Sequence, residues 1–151
     1  MIINRNSELL EGLEGIIWDV GDVIVRFDQS LTNKALSAAC GKSEQEVNAV
    51  LFGGSSGTKE YNEGLRAKYA LGEWDSREFY EAVRRELGLN MSYGQFADAW
   101  CEMFEPHIEI VDFVQRAHEG GIRQCALSST DPLHMEKMAS VGKLRENIGK
   151  D

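Results

Sequence analysis

Gly15-Ile16-Ile17-Trp18-Asp19-Val20 is a short apolar run interrupted by a single acid and bounded by glycines. Its β-branched residues and lack of polar alternation predict a buried strand of a parallel sheet. From Gly21 to Asp28 polar and apolar residues alternate, which predicts an extended turn leading out of that strand. The period then lengthens, and from Ser30 to about His118 the apolar spacing is helical. Each helix carries its own punctuation. Ser30 is placed to cap a helix that stops at Gly41, and Ser43 with Glu46 forms a capping-box pattern ahead of Val47, Val50 and Leu51. Asp75 with Glu78 repeats the pattern ahead of Phe79, Val83 and Leu87, with Gly88 as the stop, and Ser92 with Gln95 opens a helix carrying Phe96, Trp100 and Phe104. Gly53-Gly54-Ser55-Ser56-Gly57 lacks the frame of a nucleotide-binding loop and reads as a flexible turn. A last amphipathic helix directs Ile108, Val111, Val114 and Ala117 to the core, stops at Gly120-Gly121 and leads into a strand from Ile122 to Ser128. Helix, glycine stop and strand in that order are the parts of an α/β crossover unit. Residues 131–151 read as one more helix and a ragged end.

A chain of 151 residues has the length of one domain. A net charge of -9 provides no general cationic surface for a phosphate backbone, so nucleic acid is not expected as a partner. Cys40, Cys101 and Cys125 are scattered and lack zinc spacing, which predicts reduced, buried thiols in a cytoplasmic protein. Residues 1–8 have no basic start followed by an apolar stretch, and no apolar run approaches the ~20 residues of a membrane span. His107, His118 and His134 share neither a helix face nor a ligand spacing, and surface or capping roles are expected for them. Trp18, Trp74 and Trp100 fall on apolar faces, as packing residues do.

Two positions carry candidate chemistry. Asp19 ends the first strand, and Ser128-Ser129-Thr130 ends the second. Ligands of open parallel sheets bind at the carboxyl ends of the strands, so Asp19 and Ser128 are expected to share one site. Asp19 as a turn-capping acid and Ser128 as a helix N-cap, a role Ser129 or Thr130 could share, are the plainer alternatives.

The segment Ile16-Ile17-Trp18-Asp19-Val20-Gly21-Asp22-Val23-Ile24-Val25 is similar to the first motif of haloacid dehalogenase (HAD) superfamily hydrolases. Ala126-Leu127-Ser128-Ser129-Thr130-Asp131-Pro132-Leu133-His134 resembles their second motif, in the form found in phosphatases of the α-D-glucose-1-phosphate type. Residues 69–79 and 91–96 resemble the cap helices of that subgroup, and the likeness runs from about Gly15 to His134. It implies a truncated HAD-like α/β Rossmannoid core of about two parallel strands, residues 12–29 and 106–151, with a helical cap, residues 30–105.

The resemblance also implies a mechanism. The aspartate matching Asp19 attacks phosphorus to form an aspartyl-phosphate, and Asp19 with the Gly21 carbonyl helps hold Mg²⁺. The hydroxyl matching Ser128, with Ser129 beside it, binds the phosphoryl group, and backbone N–H groups at Gly21 and Asp22 cradle it. The substrate would be a small phosphorylated metabolite. Many family phosphatases place a general acid two residues after the nucleophile, where this chain has Gly21. The family's lysine before Pro-Asp and its distal acidic pair have no counterpart up to Asp151. Each such group typically contributes ~2.7–4 kcal/mol of transition-state stabilisation, so catalysis by these residues alone is an open expectation. The alternatives are a non-catalytic HAD-derived binding or assembly protein, and a dehalogenase-type hydrolase, for which Arg26 is the one arginine near the first strand. A two-stranded sheet exposes its edges, which predicts a homodimer that covers them.

Overall fold

The computed structural model describes residues 12–53 and 64–148. Most of the predicted Gly53–Gly57 turn and the opening residues lie outside them. The described chain contains four short strands and eight helices and divides into two compact units. One, the sheet unit, takes the described residues up to Phe27, residues 105–129 and those from Met138 onward. The other, the helical unit, takes residues 28–104 together with 130–137, a segment that sequence reading assigned to the core.

In the sheet unit, β1 (Gly15–Asp19) pairs in parallel with β4 (Arg123–Leu127), with Ile17 opposite Cys125 and Asp19 opposite Leu127. Between them in sequence, β2 (Val25–Phe27), where the sequence predicts only an extended turn, pairs with β3 (Phe104–Pro106), where it predicts Phe104 on the helix opened by Ser92; that helix stops at Trp100. Helix α6 (Ile108–Glu119) covers one side of the β1–β4 sheet. Trp18 meets Phe113 edge-on at 5.9 Å, and Val111, Val114 and Ala117 are buried. Ile108 departs from the sequence reading: it begins the helix at 60% exposure. The short helix α8 (Leu144–Asn147) joins through a polar chain in which Trp18 Nε1 donates to Gln124 Oε1 at 2.7 Å, and Gln124 Nε2 donates to the carbonyls of Val114 and Asn147 at 3.1 and 3.3 Å. Gln124 thereby satisfies polar groups on the half-buried face and fixes the register of the two strands.

The opposite face corrects the expectation of a strand buried on both sides. Ile17 and Leu127 are each 71% exposed, and Cys125, expected to be buried, is exposed beside them. Among the described residues β1 has a partner strand on one side and a helix on one face, which leaves half of its apolar run exposed.

The helical unit contains α1 (Gln29–Cys40), α2 (Glu44–Phe52), α3 (Gly64–Ala70), α4 (Ser76–Leu87), α5 (Tyr93–Trp100) and the first part of α7 (Pro132–Val141), which continues into the sheet unit. The capping boxes at Ser43/Glu46, Asp75/Glu78 and Ser92/Gln95 form as predicted, and Gly41 and Gly88 end α1 and α4 in the left-handed conformation. The cap of α1 is Asp28, two residues before the predicted Ser30, because the Asp28 carboxylate accepts the Ser30 N–H at 2.9 Å. The unit's core is aromatic: Phe79 stacks on Tyr69 at 4.5 Å and meets Trp100 and Phe96 edge-on at 4.9 and 5.7 Å. No helix among the described residues is long and apolar enough to cross a membrane.

A buried polar cluster ties residues 130–137 into this core. Asp131 and His134 are 1% and 4% exposed, so His134 is not the surface or capping residue that its sequence context suggested. His134 Nδ1 lies 2.9 Å from Asp131 Oδ2, its Nε2 lies 3.1 Å from the Trp100 carbonyl, and its ring stacks on the Trp100 indole at 4.7 Å. Trp100 Nε1 donates to Asp131 Oδ1 at 3.4 Å, and Arg66 Nε stands 3.9 Å from Oδ2. Burial raises the Asp131 pKa, but the bonds and charge of His134, with the Arg66 guanidinium, outweigh it and hold the carboxyl below its ordinary value. Burial, and next the Asp131 charge, push the nearby Cys101 thiol up to about 12, so this cysteine stays protonated and inert.

Candidate active site

Asp19 is the last residue of β1, and Ser128 follows Leu127, the residue directly opposite Asp19 in β4. Neighbouring strands lie about 4.8 Å apart, so the two side chains belong to one end of the sheet, as expected from their place in the sequence. Both are reachable, Asp19 exposed and Ser128 half-buried. Neither side chain is engaged in a hydrogen bond with another described residue. The helix that follows is capped by Asp131, whose carboxylate accepts the His134 N–H at 3.0 Å, so Ser128, Ser129 and Thr130 are released from the capping role the plainer reading gave them.

The turn after Asp19 is closed by its own backbone. The Val20 carbonyl accepts from the N–H groups of Ile24 and Val25, both at 3.0 Å, and Asp22 N–H donates to the Val25 carbonyl at 2.8 Å. Asp22 takes φ 57°, the left-handed region that aspartate tolerates better than most residues. This geometry divides the expected cradle. The Gly21 N–H is not used within the turn, whereas the Asp22 N–H is already committed to Val25 and its exposed carboxylate is what Asp22 presents to solvent. A β-branched residue at position 22 would strain the turn. Asp22→Val is expected to cost about 1–2 kcal/mol in a urea titration, while Asp22→Gly leaves the midpoint unchanged or higher.

Arg26 on β2 is held by His107, with Nη2 3.0 Å from His107 Nε2. His107 precedes α6 but makes no side-chain capping bond. Phe27 was not singled out in the sequence. It is 45% exposed, and its ring edge, at Cε1, stands 3.9 Å from where a side chain at Gly21 would begin. The signal that could have found it is the aromatic residue closing the alternating segment after Asp19.

No protein-family profile matches the chain. Solved structures do. A HAD-family enzyme of Bacteroides thetaiotaomicron in complex with magnesium and inorganic phosphate superposes with a TM-score of 0.64 at 16% identity, over 85% of this chain and 59% of that one. A variant of it with an aspartate replaced by alanine, also with magnesium and phosphate, gives a TM-score of 0.67 over the same shares. A HAD-like family hydrolase predicted in Porphyromonas gingivalis gives 0.63 at 20% identity, over 82% of this chain and 55% of that one. The chain has the fold of HAD-family enzymes, over less than two thirds of their length.

Proposed function

We propose that this chain is a HAD-like phosphohydrolase unit that receives the phosphoryl group of a small phosphorylated metabolite at Asp19, with Ser128 and Ser129 as binding partners. The observation that carries the reading is the pairing of an exposed, unengaged carboxylate with an unengaged hydroxyl at the carboxyl ends of two parallel strands. A solved neighbour with this fold holds magnesium and inorganic phosphate.

In this reading an Asp19 oxygen attacks phosphorus, the bond to the ester oxygen breaks, and the leaving oxyanion takes a proton from water. A second water then attacks phosphorus, restoring the carboxylate and releasing phosphate. Ser128 Oγ and the Gly21 N–H donate to the phosphoryl oxygens and orient the group for in-line attack.

No group of three His, Cys, Asp or Glu side chains among the described residues is placed to hold a metal ion. Magnesium, however, commonly completes its octahedron with water and substrate phosphate around one or two carboxylates, and an exposed Asp19 with the Gly21 carbonyl suits that kind of shared site. When bound there, Mg²⁺ would offset the repulsion between the carboxylate and the phosphate dianion. The Arg26 guanidinium is occupied by His107, which gives a dehalogenase-type reaction no support from that side chain.

The exposed Ile17 and Leu127 and the open edges of β1 and β4 are reasons to propose that a second copy covers this face. Light scattering on the purified chain is expected to give twice the monomer mass, and a monomer mass throughout a dilution series would refute the dimer.

The test of function is phosphate release from a panel of sugar phosphates and an aryl phosphate, with and without Mg²⁺, by the chain and by Asp19→Asn. Mg²⁺-dependent release that the variant lacks supports the reading. Release that is equal in the two removes Asp19 from the chemistry, and no release leaves a phosphate-binding or assembly protein of the same fold.

A further inference from the structure

Gly21 and Phe27 together give the environment of the leaving group, an inference that rests on the phosphohydrolase reading above. Gly21 is two residues from Asp19 and brings no side chain, hence no proton donor, to that side of the site. The space is bordered instead by Phe27, whose ring edge lies 3.9 Å from the position of the missing Cβ and whose surface is 45% exposed. The placement is fixed by the chain itself. Val25 is fully buried, bridges to Gly21 and donates to the Val20 carbonyl, and Phe27 is two residues further along the same short strand.

We propose that Phe27 is a specificity-determining residue and that the site takes phosphomonoesters whose leaving oxygen is borne on an aromatic ring. The two observations converge independently. An aromatic side chain left in contact with solvent beside Gly21, two residues from the proposed nucleophile, offers an edge or face to another ring, an arrangement that adds to simple area burial. A site without a side-chain acid next to the ester oxygen favours leaving groups that depart as stable anions, and a phenolate, with a pKa near 10 for an ordinary phenol, is far more stable than an alkoxide. The bond that breaks is the one between phosphorus and the aryl oxygen, the electron pair stays on that oxygen, and its proton is taken from water.

The test uses the intact chain with Mg²⁺ and compares the binding of phenylphosphonate, methylphosphonate and inorganic phosphate by calorimetry, so that it does not depend on turnover. Phenylphosphonate is expected to bind about tenfold tighter than methylphosphonate. Phe27→Ala is expected to bring that ratio to within about twofold of unity, and Phe27→Tyr, which keeps the ring, to preserve it. Binding of phosphate with no preference for the phenyl compound in the unmodified chain overturns the role of Phe27 while the Asp19 site stands. A preference that survives Phe27→Ala likewise overturns it, because the ring is then recognised elsewhere. Binding of none of the three overturns the phosphate site and this proposal with it. If turnover is measurable, kcat/KM across phenyl phosphates of graded phenol acidity should rise steeply with leaving-group acidity. A flat series, or one made steeper by Asp22→Asn, would show that a side chain protonates the leaving oxygen and would overturn the second half of the argument.

Discussion

Asp131→Ala is expected to lower the stability of the helical unit by about 3–5 kcal/mol, the usual loss when one member of a buried ion pair is removed, here the carboxylate 3.9 Å from the Arg66 guanidinium. Asp131 is 1% exposed and does three things at once. It caps α7 through the His134 N–H, faces the His134 ring at 2.9 Å, and accepts from the Trp100 indole at 3.4 Å. Alanine removes all three and leaves His134 Nδ1 and the indole N–H buried without the carboxylate they face. Asn keeps an acceptor for the cap and the indole but not the charge, so Asp131→Asn should recover part of the loss. Urea denaturation followed by tryptophan fluorescence reads both variants, since Trp100 lies within the cluster. A loss below about 1 kcal/mol in the alanine variant would show that the cluster does not hold the helical unit together.

The same residue sets a pH dependence. The Asp131 carboxyl is held below its ordinary value of 3.8 in the folded chain, so the unfolded chain binds its proton more readily. Its contribution is fully present above that ordinary value and is lost as pH falls through the lower, folded one. The urea midpoint should therefore drop below about pH 4. Part of that slope should be missing from Asp131→Asn. An acid limb with equal slope in both proteins would place the responsible carboxylates elsewhere.

Asp19→Asn should lower phosphate release by on the order of 10³-fold or more, equivalent to about 4 kcal/mol of lost transition-state stabilisation. The amide oxygen is a poor nucleophile and carries no charge for a cation. Because Asp19 is exposed and makes no bond with another described residue, the substitution should leave the urea midpoint within about 0.5 kcal/mol of the original. The separation of the two readouts matters. A residue kept for structure loses stability when replaced, whereas a residue kept for chemistry loses rate alone.

Local rules carried the sequence reading furthest. Capping boxes at Ser43, Asp75 and Ser92 and the glycine stops at Gly41 and Gly88 depend on side chains a few residues apart, and each forms where the pattern placed it. The parallel pairing that puts Asp19 and Ser128 at one end of the sheet was legible for a related reason. Two apolar runs, each ending in a polar residue and joined through helices, have one sensible way to pair. What the sequence concealed depends on tertiary context. Ile17 and Leu127 look like core residues, and nothing in their neighbours announces that both are exposed. His134 shares no ligand spacing with the other histidines and looks like a surface residue, yet it is buried because Trp100, distant in sequence, stacks on its ring and Asp131 faces it from the helix cap. The three-residue strands β2 and β3 are too short for a period to show. Asp28 and Ser30 are both good caps, and only the observed bond at 2.9 Å decides between them.

The most direct test of the central claim is acid-quenched mass spectrometry of the chain after mixing with Mg²⁺ and an aryl phosphate. The expected result is a protein carrying one added phosphoryl group that maps to the peptide containing Asp19, is labile to hydroxylamine, and is absent from Asp19→Asn. A phosphoryl group on a different residue, or phosphate release with no modified protein at any quench time, would contradict it.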